Sequence, residues 1–429
     1  MQSKGAIKLL AVLLALACIY QLSFTFKTRS VEKKAAEYAA QFPVGQQSEA
    51  EQHYLDSVQN VGVYNLGFKK FTYKECKEKE LNLGLDLKGG MNVMLEVQVE
   101  DVIKALAGDS QNDPAFVEAI AEANAALKEG TSKDYISDFV KAYQRLSNGG
   151  SLAAVFVSPD RKDITLESSD ADASAAISFE VKQYGNENQM RIVTQYRYDD
   201  TSDEATAEVE QIIYDAMKSL YSYDISFEQF RNTQTDVNGI LTADKIGPSI
   251  AKDMTWNAIY SVLFSLIAIG LYITFRFKRW QWASGATIAL AVNALFIIGL
   301  FSMLYGFVPF NLEVNQAFIA AILTIIGYAI NDTVVVFDRI REYLGMYPKR
   351  NLKENVNNAI NSTLSRTINT SGTTLVTLLA IFFFGGETIR GFIFALTVGV
   401  IVGTVATIFI ATPIAYDLMV KRAKFDKEA

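Results

Sequence analysis

Ile325-Ile326-Gly327-Tyr328-Ala329-Ile330-Asn331-Asp332-Thr333-Val334-Val335-Val336-Phe337 sets a carboxylate inside an apolar run. The run, 315–337, is long enough to cross a hydrocarbon core of about 30 Å as a helix. Asp332 lies about four residues before the run ends. An ionised carboxylate there costs several kcal/mol unless it is paired, hydrated or protonated, and such residues mark ion or proton paths. The plain alternative is that Asp332 meets water at the cytosolic end of its span. Against it, aspartate is too short to snorkel, and Asp338, Arg339 and Arg341 already mark the interface.

Outward from this stretch, five more runs qualify as spans, at about 6–26, 256–275, 284–305, 368–384 and 389–415. The run 368–384 is the weakest; it opens with Ile368-Asn369-Thr370-Ser371-Gly372 and ends at Gly385-Gly386. The chain has 429 residues, of which 50% are hydrophobic, and these gather at the N-terminus and after residue 255 around a long polar stretch. That distribution excludes a simple soluble enzyme, a wholly embedded protein and a disordered chain. A net charge of −7 argues against nucleic acid as a partner. His53 is the only histidine, and Cys18 and Cys76 form neither a metal motif nor a disulfide framework. No nucleophile–base pair, metal cluster or phosphate loop is visible, so neither an enzyme nor a cofactor is expected.

The first run has a basic start in Lys4 and Lys8, and Ala17-Cys18 loosely suggests a cleavage site. The chain stays apolar past Cys18 (Ile19-Tyr20-Gln21-Leu22-Ser23-Phe24), so an uncleaved anchor is expected. Lys and Arg fill the loops after the second, fourth and sixth spans, among them Arg276, Arg339 and Lys421, and are missing from 306–314. Both termini are therefore expected in the cytosol, with about 27–255 outside.

In the outer stretch, 31–42 reads as a helix continuing from the first span. Residues 83–87 and 91–97 read as two strands separated by Gly89 and Gly90. Amphipathic helices are expected at 115–128 and 133–146, and a buried strand at 152–157. From about 179 a small βαβ-type unit is expected, with a strand at 189–194, a helix at 204–220 and a strand opening at 227–230. The acidic cluster Asp199, Asp200, Asp203 and Glu204 reads as a solvated helix start, because it lacks the spacing of a calcium loop.

The partner expected for Asp332 lies on the next segment. Residues 349–364 read as an amphipathic helix on the cytosolic face. Arg366 then opens the fifth span, followed by a polar stripe of Thr367, Thr370, Ser371 and Thr374 on one helix face. Such hydroxyls line a water file or bridge helices. The competing explanation is small-residue packing of Gly327 against Gly372, and both can hold together.

These residues carry a family resemblance. Gly327-Tyr328-Ala329-Ile330-Asn331-Asp332-Thr333-Val334-Val335-Val336-Phe337-Asp338-Arg339-Ile340-Arg341-Glu342 and Leu364-Ser365-Arg366-Thr367-Ile368 resemble SecF. So does Lys245-Ile246-Gly247-Pro248, and the likeness extends over about 180–420. Leu83-Gly84-Leu85-Asp86-Leu87-Lys88-Gly89-Gly90 instead resembles the opening strand of the SecD outer domain. Both proteins are accessory components of bacterial protein export in the resistance–nodulation–division superfamily. The chain looks like a SecD start joined to a SecF end near 170–182, as from a SecD–SecF fusion with its middle missing.

The resemblance implies a membrane α-helical fold of six spans with an extracytoplasmic α+β region. Its parts would be a first transmembrane helix (1–26), a SecD-like region (27–178), a SecF-like α+β domain (179–250), a SecF-like membrane domain (251–420) and a cytosolic tail (421–429). It implies a helper of the Sec channel in the bacterial inner membrane that uses the proton motive force on unfolded preproteins. Asp332 and Arg366 match the family's proton-pathway pair, with Asn331, Thr370 and Thr374 beside them. Gly84, Asp86, Gly89, Gly90, Gly247, Pro248 and Gly327 are its structural positions. The acid that SecD contributes has no counterpart here, so the chain pairs with a SecD-like protein, forms a homodimer, or is an impaired truncated product. A scaffold of the secretion complex and a small-molecule or lipid exporter are the rival functions.

Overall fold

A computed structural model describes residues 4–43, 47–96, 112–128, 135–147, 179–183, 189–194, 203–218, 225–231 and 239–428, without 66, 68, 306 and 309 and with 100, 103, 104 and 107 added. In chain order the elements are α1 (Lys4–Ala39), α2 (Gln47–Val58), β1 (Gly62–Asn65), β2 (Lys70–Thr72), α3 (Tyr73–Glu78), α4 (Leu85–Lys88), β3 (Gly90–Glu96), α5 (Pro114–Lys128) and α6 (Tyr135–Leu146). There follow β4 (Phe179–Gln183), β5 (Gln189–Thr194), α7 (Glu204–Met217), α8 (Phe227–Arg231), β6 (Gly239–Ile246), α9 (Pro248–Phe277), α10 (Trp280–Leu304) and α11 (Gln316–Met346). The chain ends in α12 (Leu352–Phe384), α13 (Glu387–Ala406), a π-helical segment (Thr407–Ala411) and α14 (Thr412–Glu428). Two compact units result: Met1–Lys88 with Ile250–Ala429, and Gly89–Ser249.

In the first unit, five helices among the described residues are long and apolar enough to cross a membrane: Pro248–Phe277, Trp280–Leu304, Gln316–Met346, Leu352–Phe384 and Thr388–Lys421. A helix satisfies its backbone polar groups internally, which a span in lipid requires. The expected first span falls on α1, whose side chains before residue 16 lie outside the described set.

The expected surface helix at 349–364 and span from 368 are one continuous helix, α12. The polar stretch does not end it, because its hydroxyls bond back to their own helix. Thr363 Oγ1 donates to the Ala359 carbonyl at 3.2 Å and Thr370 Oγ1 to that of Arg366 at 2.9 Å.

The α13–α14 rod packs on α10 along its length and on α11 as far as the π segment. Before the π segment, a Cβ on Gly399 would run into Ile325, and one on Gly403 would lie 3.0 Å from the Ala329 Cβ. This small-xxx-small spacing seats α13 against α11. After the π segment, a Cβ on Gly285 of α10 would lie 3.1 Å from the Ala415 Cβ, so α14 packs on α10. The expected pairing of Gly327 with Gly372 is not made; a Cβ on either glycine would meet nothing within 4 Å.

Residues 83–87 are not a strand. Leu83 makes a single parallel bridge to Val314, and Leu85–Lys88 is one helical turn. Gly89 (φ 78°) and Gly90 (φ 134°) then take backbone that a Cβ disfavours, which cuts the run before β3. The turn buries Leu87 among Leu290, Phe301 and Phe318, a core that alternation along a strand would not reach. Nearby, Lys77 pairs with Glu32 of α1 and with Glu80, and Thr28 donates to Glu80 at 2.7 Å, which fixes the segment after α3 to α1. Cys18 and Cys76 are buried free thiols.

In the second unit, β4-β5-β3-β6 form an antiparallel sheet in that order. Val93 lies opposite both Ile192 and Ala243. β5 and β6 thus run parallel with β3 between them, in the β-α-β-β-α-β order of a split βαβ arrangement. The sheet joins β3 to strands beyond 179 and so crosses the division expected at 178. Met91, Val93 and Leu95 face Val209, Ile213 and Tyr214 of α7 across one core. Residues 227–230 are helical, and the return strand is β6. Ser226-x-x-Gln229 is a capping box: the Gln229 amide donates to Ser226 Oγ at 3.3 Å, and the Ser226 amide to Gln229 Oε1 at 3.0 Å. The helices α5 and α6 stand where amphipathic spacing puts them, packed through Phe116 and Phe139. The strand expected at 152–157 lies outside the described residues, as do Asp199 and Asp200.

Candidate functional site

Asp332 is 4% exposed, in the middle of α11. Its Oδ2 accepts from Ser371 Oγ of α12 at 3.3 Å and from Thr404 Oγ1 of α13 at 3.5 Å. The two hydroxyls lie 2.7 Å from each other, so three helices close a small ring on one carboxylate. The seat at Gly399 and Gly403 puts Thr404 there, because it brings the α13 backbone close to α11. Thr333 and Thr407 repeat the contact beside it, oxygen to oxygen at 2.9 Å. Thr407 begins the π segment, and Thr412 Oγ1 bonds to its carbonyl at 3.0 Å. Such segments recur at functional sites. Asn293 of α10 is fully buried beside them and donates to the Gly399 carbonyl at 3.3 Å.

One turn along α11 toward its N-terminus, Tyr328 bonds to the Thr370 carbonyl at 3.2 Å and Thr374 Oγ1 at 3.1 Å. The α12 stripe therefore divides its work. Thr363, Thr367 and Ser371, at spacings of four, are buried on one side. Thr370 and Thr374 are half-buried and serve Tyr328. Asn331 is exposed on a neighbouring face of α11.

Arg366 is not a contact partner of Asp332. It precedes Ser371 by five residues, which turns it roughly 140° around α12. Its exposed side chain instead lines a cavity of about 680 Å³ with Arg276, Arg339 and Arg341. Val335, also in that wall, follows Asp332 by one turn, so the cavity begins about 5 Å along the axis from the carboxylate. Asp332 is thus bounded by hydroxyls toward the start of α11 and by a charged vestibule toward its end. A hydroxyl accepts or donates with equal ease, so the ring can hold the carboxylate ionised or protonated.

The motif around Gly84 sits at the N-terminal end of α11. The Gly84 amide donates to the Val314 carbonyl at 2.9 Å, and the Val314 amide to that of Asn82 at 2.8 Å. Gly84 must be small, since a Cβ would lie 2.8 Å from the Asn315 Cβ. Asp86 Oδ2 accepts from the Gln316 amide at 3.2 Å, and Asn315 Oδ1 from that of Phe318 at 2.9 Å. Pro248 opens α9 directly after Gly247, a position where its missing N–H costs nothing.

Sequence reading missed Thr404, Thr407 and Asn293. The signal was Gly399-Val400-Ile401-Val402-Gly403-Thr404, a close-packing motif with a hydroxyl one residue on.

The fold and this site define a multi-pass helical membrane protein with an ionisable group in its interior. The family model "Protein export membrane protein SecD/SecF, C-terminal" matches residues 226–421. The chain is 36% identical over 248 residues to the protein translocase subunit SecF of Rickettsia rickettsii, covering 58% of this chain and 72% of that one. It is 48% identical over 196 residues to the subunit SecF of Rhodothermus marinus, covering 46% of this chain and 62% of that one. A crystal structure of SecDF from Thermus thermophilus overlaps 94% of this chain and 48% of its own, at 21% identity and a TM-score of 0.47. The chain belongs to the SecD/SecF family. It spans 62% and 55% of the SecF subunits of Rhodothermus marinus and Rhodobacter capsulatus.

Proposed function

We propose that the chain is an accessory subunit of the Sec protein translocase, and that proton passage through Asp332 assists late export of unfolded preproteins across the bacterial inner membrane. The observation that carries this is a buried carboxylate held by Ser371 and Thr404 and set one turn from a charged vestibule. Both termini lie in the cytosol in this topology, because Lys and Arg crowd the loops on that side. The vestibule then supplies the cytosolic exit, and Tyr328 with Thr370 and Thr374 the outer approach. Arg366 acts from the vestibule, where its charge favours release of the proton. Each proton crossing 100 mV supplies about 2.3 kcal/mol for a conformational change. Partners are the Sec channel, the preprotein, and a SecD-like protein or a second copy that provides a further acid.

The test is export of a reporter precursor in cells depleted of the native helper, with this chain or its Asp332→Asn variant, each with and without a SecD-like partner. Restoration by the chain and failure of the variant is the expected result. Equal export by both would make the protein a scaffold and remove the proton mechanism. No restoration in any arm would identify a truncated, impaired product.

A further inference from the structure

The vestibule holds four guanidinium groups and two carboxylates, Asp338 and Glu342. Asp338 is shared, meeting Arg276 at 2.9 Å and Arg341 at 3.3 Å. Glu342 meets Arg339 at 2.6 Å. Arg366 has no carboxylate within ion-pair distance among the described residues. Arg339 is also fixed across the cavity, where Nε donates to Ser362 Oγ of α12 at 3.0 Å. The cavity thus carries an excess of two positive charges on planar donors, and such donors suit a phosphate oxygen pair.

The α9 wall beside it is apolar and uncovered. Tyr272, one turn deeper than Arg276, is 53% exposed, and Phe275 next to Arg276 is 79% exposed. A soluble phosphate has no use for such a wall. A lipid uses both, with its headgroup among the arginines and its chains along Tyr272 and Phe275 of α9.

We propose that this cavity binds the phosphodiester headgroup of an anionic membrane lipid between α9, α11 and α12, through Arg276, Arg339 and Arg366. The ligand is held by fixed charges and makes no contact with Asp332, although the cavity and Arg366 are shared with the proton exit proposed above. The site extends the function proposed above and does not depend on it.

The test uses the purified full chain in detergent, with phosphatidylglycerol, phosphatidylcholine of the same acyl chains, or inorganic phosphate, and bound ligand counted by native mass spectrometry. Phosphatidylglycerol is expected to bind in preference to the other two. Each arginine near a lipid surface contributes about 1 kcal/mol, or roughly fivefold in affinity. Arg276→Gln should weaken binding about fivefold, and Arg276→Gln with Arg339→Gln about 25-fold by the same measure. Arg276→Lys should recover only part of the affinity, because it keeps the charge and loses the planar donor pair, and Arg390→Gln, on α13 away from the cavity, should keep all of it. Equal binding of both lipids overturns the proposal. Displacement of phosphatidylglycerol by inorganic phosphate at comparable concentration also overturns it, in favour of a soluble anion site. Unchanged binding in the double variant overturns the site. If the double variant does not fold, the wild-type preference and the single variant decide.

Discussion

Two aspartates meet α11, and their surroundings differ. Asp86 lies at the helix start and accepts from a backbone amide, Gln316 N, where the helix dipole also favours negative charge. Asp332 lies mid-helix and accepts from side-chain hydroxyls alone. An amide can only donate, so the first site is matched to a permanent acceptor. A hydroxyl reverses its role when its partner takes up a proton, so the second tolerates two charge states. Fixed donors suit a carboxylate that serves structure, and reversible ones suit the proton passage proposed for Asp332.

The contrast can be broken by exchanging one neutral residue at each place. Asp332→Asn should reduce export to that of depleted cells with the membrane unit still folded, as read by reporter export and thermal unfolding together. A variant that unfolds instead would make Asp332 a structural group like Asp86. Gly403→Val should come next, because its added atoms meet Ala329 and Asn293 and overpacking costs about 1–3 kcal/mol. It should lower the unfolding temperature and export together, since Thr404 moves with the backbone. Asp86→Ala should cost about 1 kcal/mol by loss of a helix-start acceptor, with Asp86→Asn recovering most of it. Recovery by asparagine at 86 and not at 332 is the sharpest form of the comparison.

The smallest effect lies in the second unit. Glu210 is buried and paired with Arg231 at 2.7 Å. Burial pushes its carboxyl above the usual range, and Arg231 offsets this only in part. With the folded value above the unfolded one, the stabilising contribution is full below the unfolded value of about 4.3 and is lost as pH rises through the folded value. Relative to Glu210→Gln, the native domain should therefore lose amide exchange protection in β3 and α7 as pH rises from about 4 to 7. A gain over that interval would reverse the assignment.

How much could be read beforehand follows the same physics. Asp332 was legible because a charge in an apolar run violates the rule of its surroundings. The α5 and α6 helices were legible from spacing alone. The sequence expects Arg366 beside Asp332, and the structure turns it into the vestibule, because a one-dimensional motif does not state the angle between two residues on α12. The turn at Leu85–Lys88 was read as a strand, since Leu, Asp and Leu alternate in both forms and only the contacts to Leu290 and Phe318 choose between them. The helix at Phe227–Arg231 had a local sign in Ser226 and Gln229, which the aromatic residues around it outweighed.

The π segment at Thr407–Ala411 has a consequence for the rod that contains it. A helix with one extra residue in a turn changes phase there, as a screw thread would if spliced with an offset. Thr404 and Gly403 are aligned to α11 before the splice, and Ala415 to Gly285 of α10 after it. Deleting a single residue from the segment would restore a uniform thread and turn one half by roughly 100° against the other. One of the two alignments would then be lost, whichever half stayed in place. The irregular turn allows a single rod to stay on α10 throughout while its first half is also keyed to α11.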